Sequence, residues 1–268
     1  MLEYDFMRTA FEAGTVVAIV AGAVGYFLVL RNLAFAGHAL SHVGFAGATG
    51  AVLLGVTPFW GLLAFTVAGG IGMGLLGDQL RGRDIAVGII LSLSLGLGVL
   101  FLHLYTTYAT QATSLLFGNV LGVSPENLRD MLVLGVLTLM FLTAIARPLI
   151  FATLDPELAA AKGVSLRLIA VLFLIIVAVA VAEAVQVVGI LLVFALMVGP
   201  AAAGLRCTTR IKSGVALSIV LAVVETWAGI TLAYATDWPP TFWITLLSSA
   251  VYGLTVVPRL IPGRRDPA

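Results

Sequence analysis

The chain has 268 residues, of which 61% are hydrophobic and 10% are charged, with a formal net charge of +1 at pH 7. A soluble globular domain carries about 25% charged residues, so this composition excludes a soluble body of this size. The small net charge argues against nucleic acid as a partner, and a single cysteine, Cys207, excludes a disulfide framework and a cysteine-based metal cluster.

Apolar segments of about 20 residues recur along the whole chain, a length typical of membrane-spanning helices. Lipid offers no hydrogen-bond partner to a bare backbone, so we predict an all-α polytopic membrane protein. In chain order the nine predicted spans are 11–30, 33–55, 58–77, 84–103, 128–147, 167–182, 185–205, 213–235 and 241–258. The sixth and seventh are nearly continuous, and we place the break between them at Glu183.

The basic residues predict the orientation, because they favour the cytoplasmic side. With the N-terminus outside, all of the 14 Lys and Arg residues except Arg8 and Arg129 fall in inner connections or in the C-terminal tail. The opposite orientation would leave only those two inside, so the C-terminus is predicted to be cytoplasmic. A count of eight spans is the alternative; it would flip the N-terminus and leave the C-terminal half unchanged.

Two connections are long, an external one at 104–127 and an internal one at 148–166. The internal one contains an aspartate cap at Asp155, a proline in the first turn at Pro156, three alanines and a terminal glycine at Gly163. This order is typical of a short helix. Because the segment is too polar to cross a membrane, we predict that it lies at the cytoplasmic surface.

Two histidines, His38 and His42, are the most informative candidate ligands in the sequence. Positions i and i+4 share one face of a helix, so both imidazoles can address one ion. At about 1.5 Å per residue, His38 lies roughly 8 Å and His42 roughly 14 Å into the second span. Ionisable groups at such depth usually line a pathway, and neutral imidazole suits zinc, copper, iron and nickel better than magnesium or calcium.

Two glutamates are further candidate metal ligands. Glu225 is expected near the middle of its span, where a carboxylate costs about 2.5–3.5 kcal/mol on insertion scales. It should face the bundle interior, either along a pathway or in a structural hydrogen bond. Glu183 is expected at the outer end of its span as a solvated cap.

Three stretches carry motifs that occur together in one known family. Residues 31–42 read RNLAFAGHALSH and residues 116–124 read LFGNVLGVS. Residues 155–164 read DPELAAAKGV and are followed by VVGILLV at 187–193 and PAAA at 200–203. Together they resemble the permease family of zinc, manganese and iron ABC importers, known as the ABC-3 type, over about residues 11–258.

The resemblance implies a type II-like ABC importer permease in the plasma (inner) membrane of a bacterium, with residues 1–268 as a single transmembrane domain. It implies a homodimer in the bilayer, a separate cytoplasmic ATPase that uses ATP, and an external metal-binding protein. The chain itself would be a transport subunit, not an enzyme, with a divalent metal ion as cargo and no permanently bound cofactor. Zinc is the expected cargo, then manganese or iron.

The resemblance also assigns residues. His42 matches the family's conduit histidine, and His38 stands where the family usually has aspartate, a change that favours zinc over manganese. Asn119 likewise replaces an aspartate in the external loop. The segment at about 155–164 matches the coupling helix that sits in a cleft of the ATPase, with the contact residues Asp155, Pro156, Glu157, Ala159, Ala160 and Gly163.

Three other functions are compatible with an apolar helical chain. A permease for iron chelates or corrinoids would also use a polar coupling helix, but it has no need of paired histidines. An intramembrane metalloprotease would need H-E-x-x-H, and residues 39–41 are Ala-Leu-Ser. A secondary carrier using Glu225 would usually show internal repeats. The chain contains no G-x-x-x-x-G-K-[ST] loop, so it does not bind ATP by that route.

Overall fold

In the computed structural model the described residues are 3–76, 83–104 and 116–260, and every regular element among them is helical. A single 3₁₀ turn, Val120–Gly122, precedes the fifth helix. The α-helices are α1 (Asp5–Leu30), α2 (Ala34–Leu53), α3 (Pro58–Leu76), α4 (Arg83–Leu104), α5 (Pro125–Leu154), α6 (Pro156–Ala161), α7 (Leu166–Val188), α8 (Ile190–Cys207), α9 (Ile211–Thr236) and α10 (Pro240–Leu260).

Within the described ranges, seven helices are long and apolar enough to cross a membrane, namely α1, α3, α4, α5, α7, α8 and α9. The all-helical membrane architecture predicted from the sequence is therefore confirmed. The two other long helices do not meet the same measure: two histidines and several glycines lower the hydropathy of α2, and the part of α10 whose side chains the structure describes, Pro240–Val256, is too short. The count of nine spans stays a prediction.

Two predicted boundaries are wrong. The fifth span was expected to end at Arg147, but α5 continues through Pro148 to Leu154, because neighbouring helices and local adjustment let membrane helices tolerate an internal proline. The break between the sixth and seventh spans lies at Gly189 rather than Glu183. Gly189 has φ 77° and ψ 163°, a conformation that side chains with a Cβ rarely adopt.

Gly189 also meets the external connection. A Cβ on Gly189 would overlap the backbone of Phe117 and Gly118, and a Cβ on Gly118, whose φ is also 77°, would overlap the backbone of Val188 and Gly189. The α7–α8 break and the 116–122 segment therefore touch backbone to backbone. Only glycine at both positions permits this approach.

The Gly189→Ala variant should be markedly less stable, because it places a Cβ in a nearly glycine-only conformation and against a neighbouring backbone. Backbone strain of this kind costs about 1–3 kcal/mol before any clash is added. The midpoint of thermal unfolding in detergent measures the effect. Gly88→Ala is the matched control, since a Cβ there meets nothing within 4 Å and a helical Gly→Ala change is favourable. An equal midpoint for both variants would contradict the expectation.

The core is built around α1, which is the most deeply buried of the seven apolar helices. It packs against α9 and α8 on one side and against α5 and α7 on the other, while α2 packs mainly on α3 and α4. α10 packs on α8 and α9. The outward faces of α4 and α5 are rich in exposed apolar side chains, as expected for lipid contact.

Two arginines connect segments that the sequence places on the cytoplasmic side. Arg31, after α1, donates to the Thr153 hydroxyl at 3.1 Å, near the end of α5. Arg167, at the start of α7, donates to the Leu75 carbonyl at 3.5 Å, near the end of α3. Three connections predicted to be internal thus lie together at one end of the bundle. The side of the membrane on which that end and the C-terminus lie stays a prediction.

Candidate functional site

The two predicted histidines lie on one face of α2 that the rest of the chain leaves open. In the first half of α2 only Ala34, Phe35, His38 and His42 are not buried, whereas Ala39 to Ser41 between the histidines are fully packed. This spacing of i, i+1, i+4 and i+8 marks one side of a helix. The imidazoles therefore lie at the surface of a single chain, facing away from its core.

The geometry of the pair agrees with the spacing argument. The His38 and His42 rings have centroids 4.8 Å apart and lie at 82° to one another. The buried His38 Nδ1 has no hydrogen-bond partner. The Ser41 hydroxyl donates to the His38 carbonyl at 2.7 Å, so it is occupied with the helix backbone. Two half-buried imidazoles are thus brought together on one face of α2.

Phe194 of α8 completes the surroundings of the pair. Its ring centroid lies 5.3 Å from that of His38, in an edge-to-face arrangement. A cavity of about 250 Å³ is lined by Ala34, Phe35, His38 and Phe194. Sequence reasoning missed Phe194, because nothing in the local pattern of α8 indicates that it faces a residue more than 150 positions earlier in the chain.

The described part of the chain holds no group of three or more His, Cys, Asp or Glu side chains that could share a metal ion. One copy therefore offers an ion two imidazoles at this site. Zinc sites usually have four ligands, so the pair is an incomplete site. Incomplete coordination suits a pathway, where binding must remain weak enough for release.

Glu225 lies where the sequence predicted, inside α9 and facing the protein interior, with 2% of its surface exposed. The Ser248 hydroxyl of α10 lies beside this carboxyl group, so the pathway role and the structural hydrogen bond that the sequence suggests both stay predictions. A buried carboxylate is costly without a partner, so this side chain needs a hydrogen-bond donor, a proton or a cation.

The expectation for Glu183 is wrong in its surroundings. It is fully buried inside α7, not a solvated cap, because the helix continues to Val188 and its end lies at Gly189. Its Oε1 would lie 3.0 Å from a Cβ on Gly135 of α5, so the absence of a side chain there makes room for it. Neither oxygen has a hydrogen-bond partner. The metal role predicted for Glu183 stays a prediction.

The predicted surface segment contains α6, which is capped at both ends. Asp155 Oδ1 accepts from the Leu158 N–H at 3.0 Å. Gly163 has φ 82°, and the N–H groups of Gly163 and Val164 donate to the carbonyls of Ala160 and Ala159. Only Ala159 of the helix is buried. Pro156, Glu157 and Ala160 are exposed, as are Asp155 and Gly163, so the segment presents most of its surface outward.

A membrane bundle with two candidate metal ligands on an open face is compatible with an integral membrane protein that carries a cation. The chain belongs to the ABC 3 transport family, whose profile matches residues 3–258. It is therefore the membrane permease of a metal ABC transporter, and a transport subunit rather than an enzyme.

Individual relatives agree with the family. The chain is 29% identical to the manganese transport system membrane protein MntC of Halalkalibacterium halodurans, over 95% of this chain and 87% of that protein. It is 31% identical to a probable metal transport system membrane protein of Treponema pallidum, over 96% of each. PsaBC from Streptococcus pneumoniae, solved in complex with a Fab, superposes with a TM-score of 0.84 at 26% identity, covering 95% and 92% of the two chains.

Proposed function

We propose that this chain is the membrane subunit of an ATP-driven importer for divalent transition metal ions, and that the ion passes along His38 and His42. The proposal rests on the imidazole pair. The two ring centroids lie 4.8 Å apart, on the face of α2 that the rest of the chain leaves open. Ionisable side chains inside a membrane bundle usually mark a pathway.

A second copy of the chain completes the pathway. The imidazole face lies at the surface of one copy, where lipid would be a poor neighbour for polar nitrogen. In a twofold dimer the same face meets itself, so two pairs could offer up to four imidazoles to one ion. Phe35 and Phe194, which are 43% and 39% exposed beside His38, would supply apolar contact around such an interface.

Manganese and zinc are the two candidate cargoes, and they are supported by different observations. Relatives described as manganese transport proteins support manganese. The imidazole at position 38, where the resemblance implies a carboxylate, supports zinc, because nitrogen is a softer ligand than oxygen. Iron is the third candidate, because imidazole nitrogen is also a suitable ligand for iron.

The other subunits follow from what this chain lacks. It contains no phosphate-binding loop, so a cytoplasmic ATPase would have to supply the energy. The exposed surface of α6 is the candidate contact for that ATPase. An external metal-binding protein would deliver the ion to the opposite end of the bundle, near the touching segments at Gly118 and Gly189.

The His38→Asp variant tests both the function and the cargo. Cells that express the transporter should accumulate radioactive manganese or zinc above cells that lack this chain. With both metals present, His38→Asp should raise the manganese-to-zinc uptake ratio about tenfold, because carboxylate is the harder ligand.

His103→Asp is the matched control, because it makes the same change at an exposed histidine near the end of α4. It should leave the ratio unchanged. Equal accumulation with and without the chain would contradict the transport function. Transport with an unchanged ratio in His38→Asp would show that the metal is selected elsewhere, in the external binding protein.

A further inference from the structure

Glu183 of α7 lies in a notch with apolar walls. None of its surface is exposed, and neither of its carboxyl oxygens has a hydrogen-bond partner. A Cβ built on Gly135 of α5 would lie 3.0 Å from Glu183 Oε1, and 3.1 Å and 3.2 Å from the side chains of Val16 and Val20 of α1. The glycine of α5 therefore leaves the space that the carboxyl group fills, and two valines of α1 close it.

The charged side chains closest to this notch along α1 and α5 lie outside it. On α1, Glu12 precedes Val16 by one turn and is exposed. On α5, Arg129 and Asp130 are exposed, and at 3.6 residues per turn they lie roughly 120–140° around the helix from Gly135. Neither helix therefore directs a charge at the carboxyl group.

The other helices packed on α7 are α2, α3, α6 and α8. The sequence of α3 contains no ionisable side chain. His38 and His42 of α2 lie on its open face, Glu157 of α6 is exposed, and Arg206 and Cys207 lie at the end of α8 away from the α7–α8 break. An ionised carboxyl in the notch would have no counter-charge and no hydrogen-bond donor among the described residues, which is a costly state in a dry interior.

The contact between α5 and α7 is close only over a short length. A groove of about 300 Å³ separates the two helices next to the notch, and its walls include Thr138 and Val179. Thr138 is one turn from Gly135, and Val179 is one turn from Glu183. In the other direction, α7 ends six residues after Glu183, at Gly189. A small displacement of the C-terminal end of α7 would therefore take the carboxyl group out of the notch.

We propose that Glu183 is a proton-binding site, with the carboxyl group uncharged while it fills the notch and ionised once α7 separates from α5. On separation, water enters and accepts the proton, so the O–H bond breaks and a solvated carboxylate remains. The packed arrangement thus holds one more proton than the separated one, and acid favours packing while alkali favours separation. This site goes beyond the proposed transport function, because its ligand is a proton and not the metal.

The effect on stability has a definite sign. A glutamate in water is ionised above about pH 4.3, so above that pH unfolding releases the proton of Glu183. For as long as the notch keeps the proton, each pH unit lowers the ratio of folded to unfolded chain by about tenfold. Glu183→Gln puts an uncharged side chain of nearly the same size in the notch and removes this contribution.

The first test is infrared difference spectroscopy of the full-length chain in lipid nanodiscs at neutral pH. The spectrum of the wild-type chain minus that of Glu183→Gln should contain the carbonyl stretching band of an uncharged carboxylic acid. Bands of Glu225 occur in both spectra and cancel. Glu157→Gln is the matched control, because Glu157 is exposed on α6 and its difference spectrum should contain carboxylate bands. Carboxylate bands in the Glu183→Gln difference would overturn the proposal.

The second test is the midpoint of thermal unfolding, measured across a series of pH values. The wild-type midpoint should fall more steeply with rising pH than that of Glu183→Gln, and Glu157→Gln should follow the wild type. Glu183→Leu, which is also uncharged, gives the same comparison if the glutamine variant does not fold. An equal pH dependence in the wild type and in an uncharged variant would overturn the proton site. Neither test uses a metal, so the result does not depend on whether the chain transports one.

Discussion

Replacing both His38 and His42 with alanine should lower metal uptake at least about tenfold, the largest effect that we expect from any two substitutions inside the bundle. Loss of groups that merely orient a metal ligand already costs about 10–100-fold in affinity or activity. In a dimer the double variant removes up to four ligands from the pathway at once. The remaining lining at this point would be Ala34, Phe35 and Phe194, which offer an ion no ligand in place of its water.

The single variants test whether both imidazoles bind the ion. If each imidazole binds the ion, His38→Ala and His42→Ala should each reduce uptake, and their effects should not add, because they act on one ion. His103→Ala is the control for loss of a histidine elsewhere. The measurement is uptake of radioactive zinc and manganese, normalised to the amount of the chain in the membrane. Full uptake by the double variant would refute the imidazole pathway.

Much of the architecture follows from local sequence signals. Apolar length alone predicts the membrane helices, because a backbone in lipid has no alternative to internal hydrogen bonds. The i, i+4 rule predicts that His38 and His42 share a face, and the cap residues Asp155 and Gly163 bound a short helix. These features depend on neighbours within one or two turns, and that is the range over which sequence patterns carry information.

The errors arise where tertiary packing decides. Glu183 was placed at a helix end because a carboxylate is costly in lipid, but the space beside Gly135 lets it lie inside the bundle. The break at Gly189 depends on its contact with Gly118, more than 70 positions earlier in the chain. The same limit applies to Phe194, whose role depends on the packing of α8 beside α2. No periodicity within one segment reports such a contact.

The single chain leaves the histidine face of α2 uncovered. The histidine pair and the opening lined by Leu191 and Phe194 lie on neighbouring faces of α2 and α8, and Leu191 is 54% exposed. The imidazole pathway would be closed from lipid by one neighbour at that surface. A second copy of the chain is the simplest neighbour, because closed twofold symmetry is the commonest form of assembly.

The second large effect is expected at α6, which is not part of the proposed metal pathway. We expect Ala160→Asp to abolish stimulation of the partner ATPase by the transport complex, with at least about a tenfold loss of metal uptake. Ala160 is exposed on a helix of which only Ala159 is buried against the chain, so its methyl group is free to contact a partner. A carboxylate forced into such a contact without a partner charge costs about 2–5 kcal/mol. The variant chain itself should still insert, because the side chain of residue 160 is exposed.

The companion variant Gly163→Pro tests whether α6 must keep its shape. Gly163 has φ 82°, which proline cannot adopt, and its N–H closes the helix by donating to the Ala160 carbonyl at 2.9 Å. The change should unwind the end of α6 and uncouple ATP hydrolysis from uptake while leaving the membrane helices in place. Thr209→Asp is the control, because it adds the same charge as Ala160→Asp at an exposed position in the connection between α8 and α9. Co-purification of the ATPase, its hydrolysis rate and metal uptake are measured together. If Thr209→Asp loses all three while both α6 variants keep them, the ATPase contacts the α8–α9 connection and the coupling role of α6 is wrong.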